Sequence, residues 1–208
     1  MSTTEIPQPD DQGPRERILD ASLKLFVGQG YFNTNVPDIS KTSRCSVGSI
    51  YHHFLNKEEI ASCLYKAGIQ QFRLALDNSF SEGENFEEAL PKVIIAFLKF
   101  AEDQELLSRY LWLSRHSEFL SQKISTPTTV GFDSLGRKLA RLIRGAMKRG
   151  DMAHYEAEIV WNILFGIPLS YVRDWLEGFT KTKPSEIAPV IAQACLAALK
   201  APQKKHKK

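Results

Sequence analysis

Cysteine is scarce in this chain, and its spacing rules out the usual uses of it. Cys45, Cys63 and Cys195 stand far apart and are odd in number. They form neither a zinc-ligand pattern nor a disulfide framework, and each reads as a small buried hydrophobe. Long apolar runs are missing too: none approaches the roughly 18 residues that mark a membrane span. The stretch from Met1 to Pro14 is polar and acidic. It lacks the basic start and apolar core of a signal peptide, so the chain is expected to be cytoplasmic, with no membrane partner. Sustained apolar–polar alternation bounded by hairpin turns is absent, which argues against a sheet protein. No Ser/His/Asp set, carboxylate pair or glycine-rich phosphate loop stands at a catalytic spacing. An enzyme is therefore not expected, nor a cofactor, nor a metal.

Excess positive charge is smaller than it looks. The formal net charge is +3, yet Lys200, Lys204, Lys205, Lys207 and Lys208 crowd the C-terminus. Subtracting these five leaves the remainder at −2. A uniformly basic nucleic-acid binder is excluded, and any DNA affinity must come from a local patch. The lysine-rich end reads as a solvated tail.

What remains is an ordinary globular composition, 43% hydrophobic and 25% charged over 208 residues, with helical periodicity throughout. Residues 1–13 read as disordered. A first helix spans about 14–27, with Ile18, Ala21, Ser22, Leu25 and Phe26 on one face, and Gly28 and Gly30 end it. Asn35 caps a second helix, about 36–42, by accepting the Asp38 N–H. Ser46 caps a third, about 47–54. Asn56 and Glu59 form a near capping box for a fourth, about 57–80. Further helices are expected over about 86–103, 105–117 and from Thr126-Pro127 to Gly150. A long one over 154–177 should be kinked by Gly166 and Pro168, and the last runs over about 184–199. The fold class is all-α. A three-helix N-terminal domain covers 14–56. A larger helical domain covers 57–200, with 57–80 as a linking helix, and a basic disordered tail follows over 201–208.

The chemistry lies in residues 43–57. A helix-turn-helix needs a tight turn and a second helix with small or hydrogen-bonding groups at its N-terminal end, so that it can enter the major groove. Ser46, Val47, Gly48, Ser49, Tyr51, His52 and His53 meet that demand. Gly48 permits close approach. Ser49 and Tyr51 offer hydroxyls, and Val47 and the Tyr51 ring suit a thymine methyl. His52 and His53 supply ring N–H donors. They diverge by about 100° on a helix and so make a poor metal pair. Lys57 is expected to meet a phosphate at a helix N-terminus. Ile50 and Phe54 should point inward onto Ile39 and the first helix.

These residues resemble the DNA-binding domain of TetR-family transcriptional regulators. The matching positions are Arg17-Ile18-Leu19-Asp20-Ala21, Leu25-Phe26, Gly30-Tyr31, Asp38-Ile39, and Gly48-Ser49-Ile50-Tyr51-His52-His53-Phe54 with Lys57-Glu58-Glu59. One departure stands in the turn, where the family has a small residue and then glycine and this chain has Ser43-Arg44. Either Arg44 is left-handed, at a cost of about 1 kcal/mol relative to glycine, or the turn differs slightly, or the Arg44 side chain reaches a phosphate. The expected DNA-binding set is Asn35, Arg44, Ser46, Val47, Gly48, Ser49, Tyr51, His52, His53 and Lys57.

The resemblance implies a C-terminal effector cavity, for which Trp112, Arg115, Trp161 and Phe165 are the candidate lining residues. It also implies a homodimer joined through the last two helices, where Gly166, Ala188, Ala192, Ala194, Ala197 and Ala198 permit close contact. Two-fold symmetry would then match a palindromic operator on double-stranded DNA. The expected function is a repressor released by a small-molecule effector, with the fourth helix as the pivot of a population shift. A constitutive helix-turn-helix binder without effector and an all-helical enzyme are the alternatives.

Overall fold

The computed structural model describes residues 13–114, 116, 120 and 134–200. The candidate Arg115, the start expected at Thr126-Pro127, the first twelve residues and the 201–208 tail lie outside them. Among the described residues the only pairing of extended type is an isolated bridge between Met152 and Lys200. The helices are α1 (Pro14–Gly28), α2 (Val36–Ser43), α3 (Val47–His53), α4 (Lys57–Asp77), α5 (Phe86–Asp103), α6 (Glu105–Leu113), α7 (Ser134–Arg149), α8 (Ala157–Trp161), α9 (Ile167–Glu177) and α10 (Pro184–Leu199). The chain divides into two compact units. The first holds residues up to Gly68 and the segment from Leu106; the second holds Ile69–Glu105 and the chain from α7 onward.

In the first unit, α2 and α3 are eight and seven residues long. Helices this short do not persist alone, so burial and caps must hold them. Ile18, Ile39, Ile50, Phe54 and Ile60 supply the burial, none more than 2% exposed. Each such side chain contributes about 1.5–3 kcal/mol on leaving water. The first unit also takes in α6. Tyr110 is fully buried there, donates its hydroxyl to the Ala61 carbonyl at 2.8 Å and stacks on Phe26 at 6.2 Å. Gly68 makes room for this helix: a Cβ at that position would stand 2.8 Å from a Leu107 methyl. The small three-helix segment thus completes its core with residues from later in the chain.

The second unit is built on longer apolar helices. Along α5, nine residues from Phe86 to Ala101 are buried. Helix α10 lies against α5 and buries Ala188, Ile191, Ala192, Cys195, Leu196 and Leu199. The Cys195 thiol donates to the Ile163 carbonyl at 3.3 Å. Helix α7 buries Leu135, Leu139, Ile143 and Ala146 on one face. Its Lys138 reaches the end of α4, bonding the Asp77 carbonyl at 2.6 Å and the Phe80 carbonyl, with its ammonium 3.9 Å from the Phe80 ring. A cation there satisfies carbonyls that a helix end leaves without partners.

The helix expected over 154–177 starts at Ala157 and is interrupted. Asn162–Gly166 forms a π turn between α8 and α9. The widened turn directly precedes Pro168, which lacks an N–H and crowds the carbonyl four residues back. Gly166 itself keeps ordinary helical angles, φ −68° and ψ −44°.

Candidate nucleic-acid interface

Asn35 opens the helix-turn-helix. Its side chain accepts the Asp38 N–H at 2.9 Å, and the Asp38 carboxylate accepts the Asn35 N–H at 3.0 Å. This reciprocal box satisfies two donors that a bare helix start would leave open. At the other end of α2, Arg44 adopts the left-handed conformation, φ 55° and ψ 33°. It is the one non-glycine residue with positive φ among those described. The turn closes through Ser40, whose carbonyl accepts the Cys45 N–H at 3.2 Å and whose hydroxyl donates to the Cys45 carbonyl at 2.6 Å. Cys45 is buried in that turn, and its thiol donates to the Ser43 carbonyl at 3.5 Å.

Ser46 then caps α3, accepting the Ser49 N–H at 3.1 Å. The helix buries Ile50 and turns its other faces outward. Val47 is 40% and Tyr51 53% exposed; Gly48 and His52 are exposed, Ser49 and His53 half-buried. A Cβ at Gly48 would meet only the Ser46 hydroxyl at 3.9 Å, so nothing inside the protein asks for glycine there. Its lack of a side chain matters only to something outside. The His52 and His53 rings stand edge to face at 5.2 Å. Helix α3 carries no acidic residue, and exposed Arg44 and Lys41 lie just before it. The result is an uncharged-to-basic face of small, hydroxyl and aromatic groups, suited to base edges and phosphates.

Lys57 stands apart. Its ammonium donates to the carbonyls of Tyr31 at 2.8 Å and Thr34 at 2.7 Å, and lies 4.2 Å from the Tyr31 ring centroid. Burial pulls its pKa below the ordinary lysine value. Asn56 caps α4 as expected, accepting the Glu59 N–H at 2.8 Å. Glu59, however, reaches past it to the Leu55 N–H, at 2.6 Å.

Residues 18–62 match a family model described as bacterial regulatory proteins, tetR family. The N-terminal segment thus carries a TetR-family domain. Among the curated proteins that this chain resembles is the Staphylococcus epidermidis negative transcriptional regulator IcaR of the icaADBC biofilm operon. It is 29% identical over 113 residues, 53% of this chain and 58% of that protein. A fatty acid metabolism regulator protein of Bacillus subtilis is 32% identical over 52% of this chain and 57% of its own length. The chain thus spans little more than half the length of either relative. Solved structures agree in fold. A TetR-family regulator from Rhodococcus RHA1 has a TM-score of 0.77 at 18% identity, over 92% of this chain and 100% of that one. One from Shewanella sp. PV-4, described as putative, has 0.73 at 22%, over 92% and 100%.

The all-α architecture with an N-terminal helix-turn-helix agrees with these neighbours. The α2–α3 segment carries Asn35, Arg44, Ser46, Val47, Gly48, Ser49, Tyr51, His52 and His53; Lys57 follows on α4. Sequence reasoning missed the residues behind that surface. Arg15 lies over the Phe54 ring at 5.3 Å, and Thr34 is buried with its hydroxyl on the Gly30 carbonyl at 2.8 Å. The signal for Thr34 was available as a β-branched polar residue just before an N-cap; Tyr110 carried none, being distant in sequence.

The candidate effector residues are dispersed. Trp112 is half-buried on α6 in the first unit. Trp161 is 38% exposed and stacks on Phe165 at 5.4 Å, and Phe165 leans on Phe97 at 6.3 Å. Two cavities of the second unit have other linings. One of about 250 Å³ lies between residues 80–84 and the Lys138, Arg141, Leu142, Gly145 and Arg149 side of α7. One of about 160 Å³ is lined by Gln70, Arg73, Leu74, Asp77, Ser134 and Leu135.

Proposed function

We propose that this TetR-family chain is a sequence-specific transcriptional regulator, a repressor that reads a palindromic operator as a homodimer and is released by a small-molecule effector. The observation that carries the reading is the outer face of α3. It displays Val47, Gly48, Ser49, Tyr51 and His52 on a helix fixed from behind by Ile50 and Phe54. In this reading the N-terminal turn of α3 enters the major groove. Val47 and Tyr51 meet thymine methyls, Ser49 and His52 meet base edges, and Arg44, His53 and Asn35 lie toward phosphates.

Dimerisation is supported by apolar groups left outside in the second unit. Ile159, Trp161, Ile167 and Val190 are between 38% and 62% exposed, and Ala194, Ala197 and Ala198 are exposed beside them. Ala188 and Ala192 are buried within the chain instead, so the small residues divide between the interior and the surface. A second copy covering the outward set would place two recognition helices on one face of the duplex. The effector site is assigned to the 160 Å³ cavity. There Gln70, Arg73, Asp77 and Ser134 line the cavity beside Leu74 and Leu135, the Ser134 hydroxyl donating to the Asp77 carboxylate at 2.6 Å, and α4 supplies residues to both units.

Selection from random duplex DNA tests the reading. The expected outcome is a palindromic consensus with half-sites about one helical turn apart. No enrichment at physiological salt overturns it.

A further inference from the structure

Lys57 occupies the position expected to hold a phosphate, yet its hydrogen bonds run inward. Two of the three ammonium N–H donors go to the Tyr31 and Thr34 carbonyls, and the Tyr31 ring covers the ammonium at 4.2 Å. Those carbonyls belong to a tight loop. Gly30 turns it at φ 89°, the Thr34 N–H returns to the Tyr31 carbonyl at 3.3 Å, and Thr34 is 1% exposed. Asn35, the cap of α2, follows immediately. Lys57 is the first residue of α4, just beyond the exit of α3.

The two ends of the helix-turn-helix are therefore tied together by one side chain. We infer that Lys57 is a positioning residue, a clamp that closes residues 34–57 into a ring and sets the angle at which α3 meets DNA, in place of a phosphate contact. The inference rests on the DNA-binding reading above. A compact ammonium suits the site, since it can meet two carbonyls and a ring face at once. A guanidinium presents a planar fork and does not fit the same socket. Partial burial of the ammonium, which lowers its pKa, agrees with a group bonded to the protein's own carbonyls.

The test compares the full-length protein with Lys57→Gln and Lys57→Arg on the duplex that the unaltered protein selects, across a salt series. Positioning predicts that both variants bind at least tenfold more weakly, with log K falling against log salt at an unchanged slope. It also predicts faster amide exchange at Thr34 and Asn35 in the DNA-free variants, with α1 and α10 unaffected. A phosphate contact predicts something else: a slope shallower by about 0.9 in Lys57→Gln, and near-full binding by Lys57→Arg. That result, or unchanged affinity in both variants, overturns the inference. Should Lys57→Gln not fold, Lys57→Arg decides alone by its affinity and exchange. If the unaltered protein selects no duplex, the DNA-binding reading fails. Amide exchange then still decides the clamp: faster exchange at Thr34 and Asn35 upholds it, and unchanged exchange removes it.

Discussion

The two units are both helical, but different forces hold their shapes. In the first, short helices are fixed by directed polar contacts: the Asn35–Asp38 box, the Ser46 cap, the Ser40–Cys45 turn, the Lys57 clamp and the Tyr110–Ala61 bond. In the second, α5 and α10 are fixed chiefly by apolar burial. Apolar burial tolerates small shifts, whereas a hydrogen bond lost in the interior leaves a polar group stranded. Under the proposed function, a surface that presents side chains to base edges needs the second kind of definition, and a helical body that accepts a ligand or a second copy can use the first.

Acid should separate the units most strongly. His116 is 7% exposed in the first unit, between the Tyr65 ring at 4.6 Å and the Tyr110 ring at 4.8 Å. Burial pushes its pKa down from 6.5 to about 4. The folded state therefore binds fewer protons than the unfolded chain between those values. Stability then rises with pH across that window and is lost as pH falls from 6.5 toward 4, by about 3 kcal/mol in all. Thermal melts of the protein and of His116→Gln from pH 7 to 4 check this. The variant should lose clearly less stability over the same range, and parallel curves would remove His116 as the cause.

The next test separates what the head needs for folding from what it needs for DNA. Gly48 has a free flank and lies in a helix, where alanine is better by roughly 0.5–1 kcal/mol. Gly48→Ala should thus raise the melting temperature slightly while weakening operator binding tenfold or more. A variant that is more stable and binds equally well would mean that α3 does not approach DNA at this point.

Much of this was legible in the sequence, and the limit has a physical form. Caps and breakers are local, so Asn35, Ser46, Gly150 and Pro184 could be placed from the sequence, and each stands where expected. The outward set on α3 followed from helical period. What local reading could not reach were contacts across long separations. Lys57 and Thr34 are 23 residues apart, and Tyr110 and Ala61 are 49. The pattern at Lys57 suggested a phosphate contact; only the fold reveals carbonyls facing it. The effector candidates were chosen as central aromatics, but Trp161 and Phe165 stack on each other, and the cavities are lined from α4, α7 and residues 80–84.

Arg44 gives the smallest effect on stability and the finest test of the head. Its left-handed backbone costs about 1 kcal/mol relative to glycine, and its side chain is exposed. Nothing in the turn hydrogen bonds requires the guanidinium, since Ser40 closes the turn through backbone and hydroxyl. Arg44→Gly should therefore be more stable, by up to about 1 kcal/mol, part of it offset by the greater freedom of glycine in the unfolded chain. Under the proposed function this turn faces DNA, and the Arg44 charge is used there. If so, Arg44→Gly also binds operator more weakly, with a salt slope shallower by about 0.9. Arg44 and Lys57 then give opposite signatures from two cations on the same module. Removing the first changes the slope and relaxes the turn. Removing the second keeps the slope and loosens the loop. Identical salt behaviour in the two variants would erase the distinction between the cation that faces DNA and the cation that faces the protein.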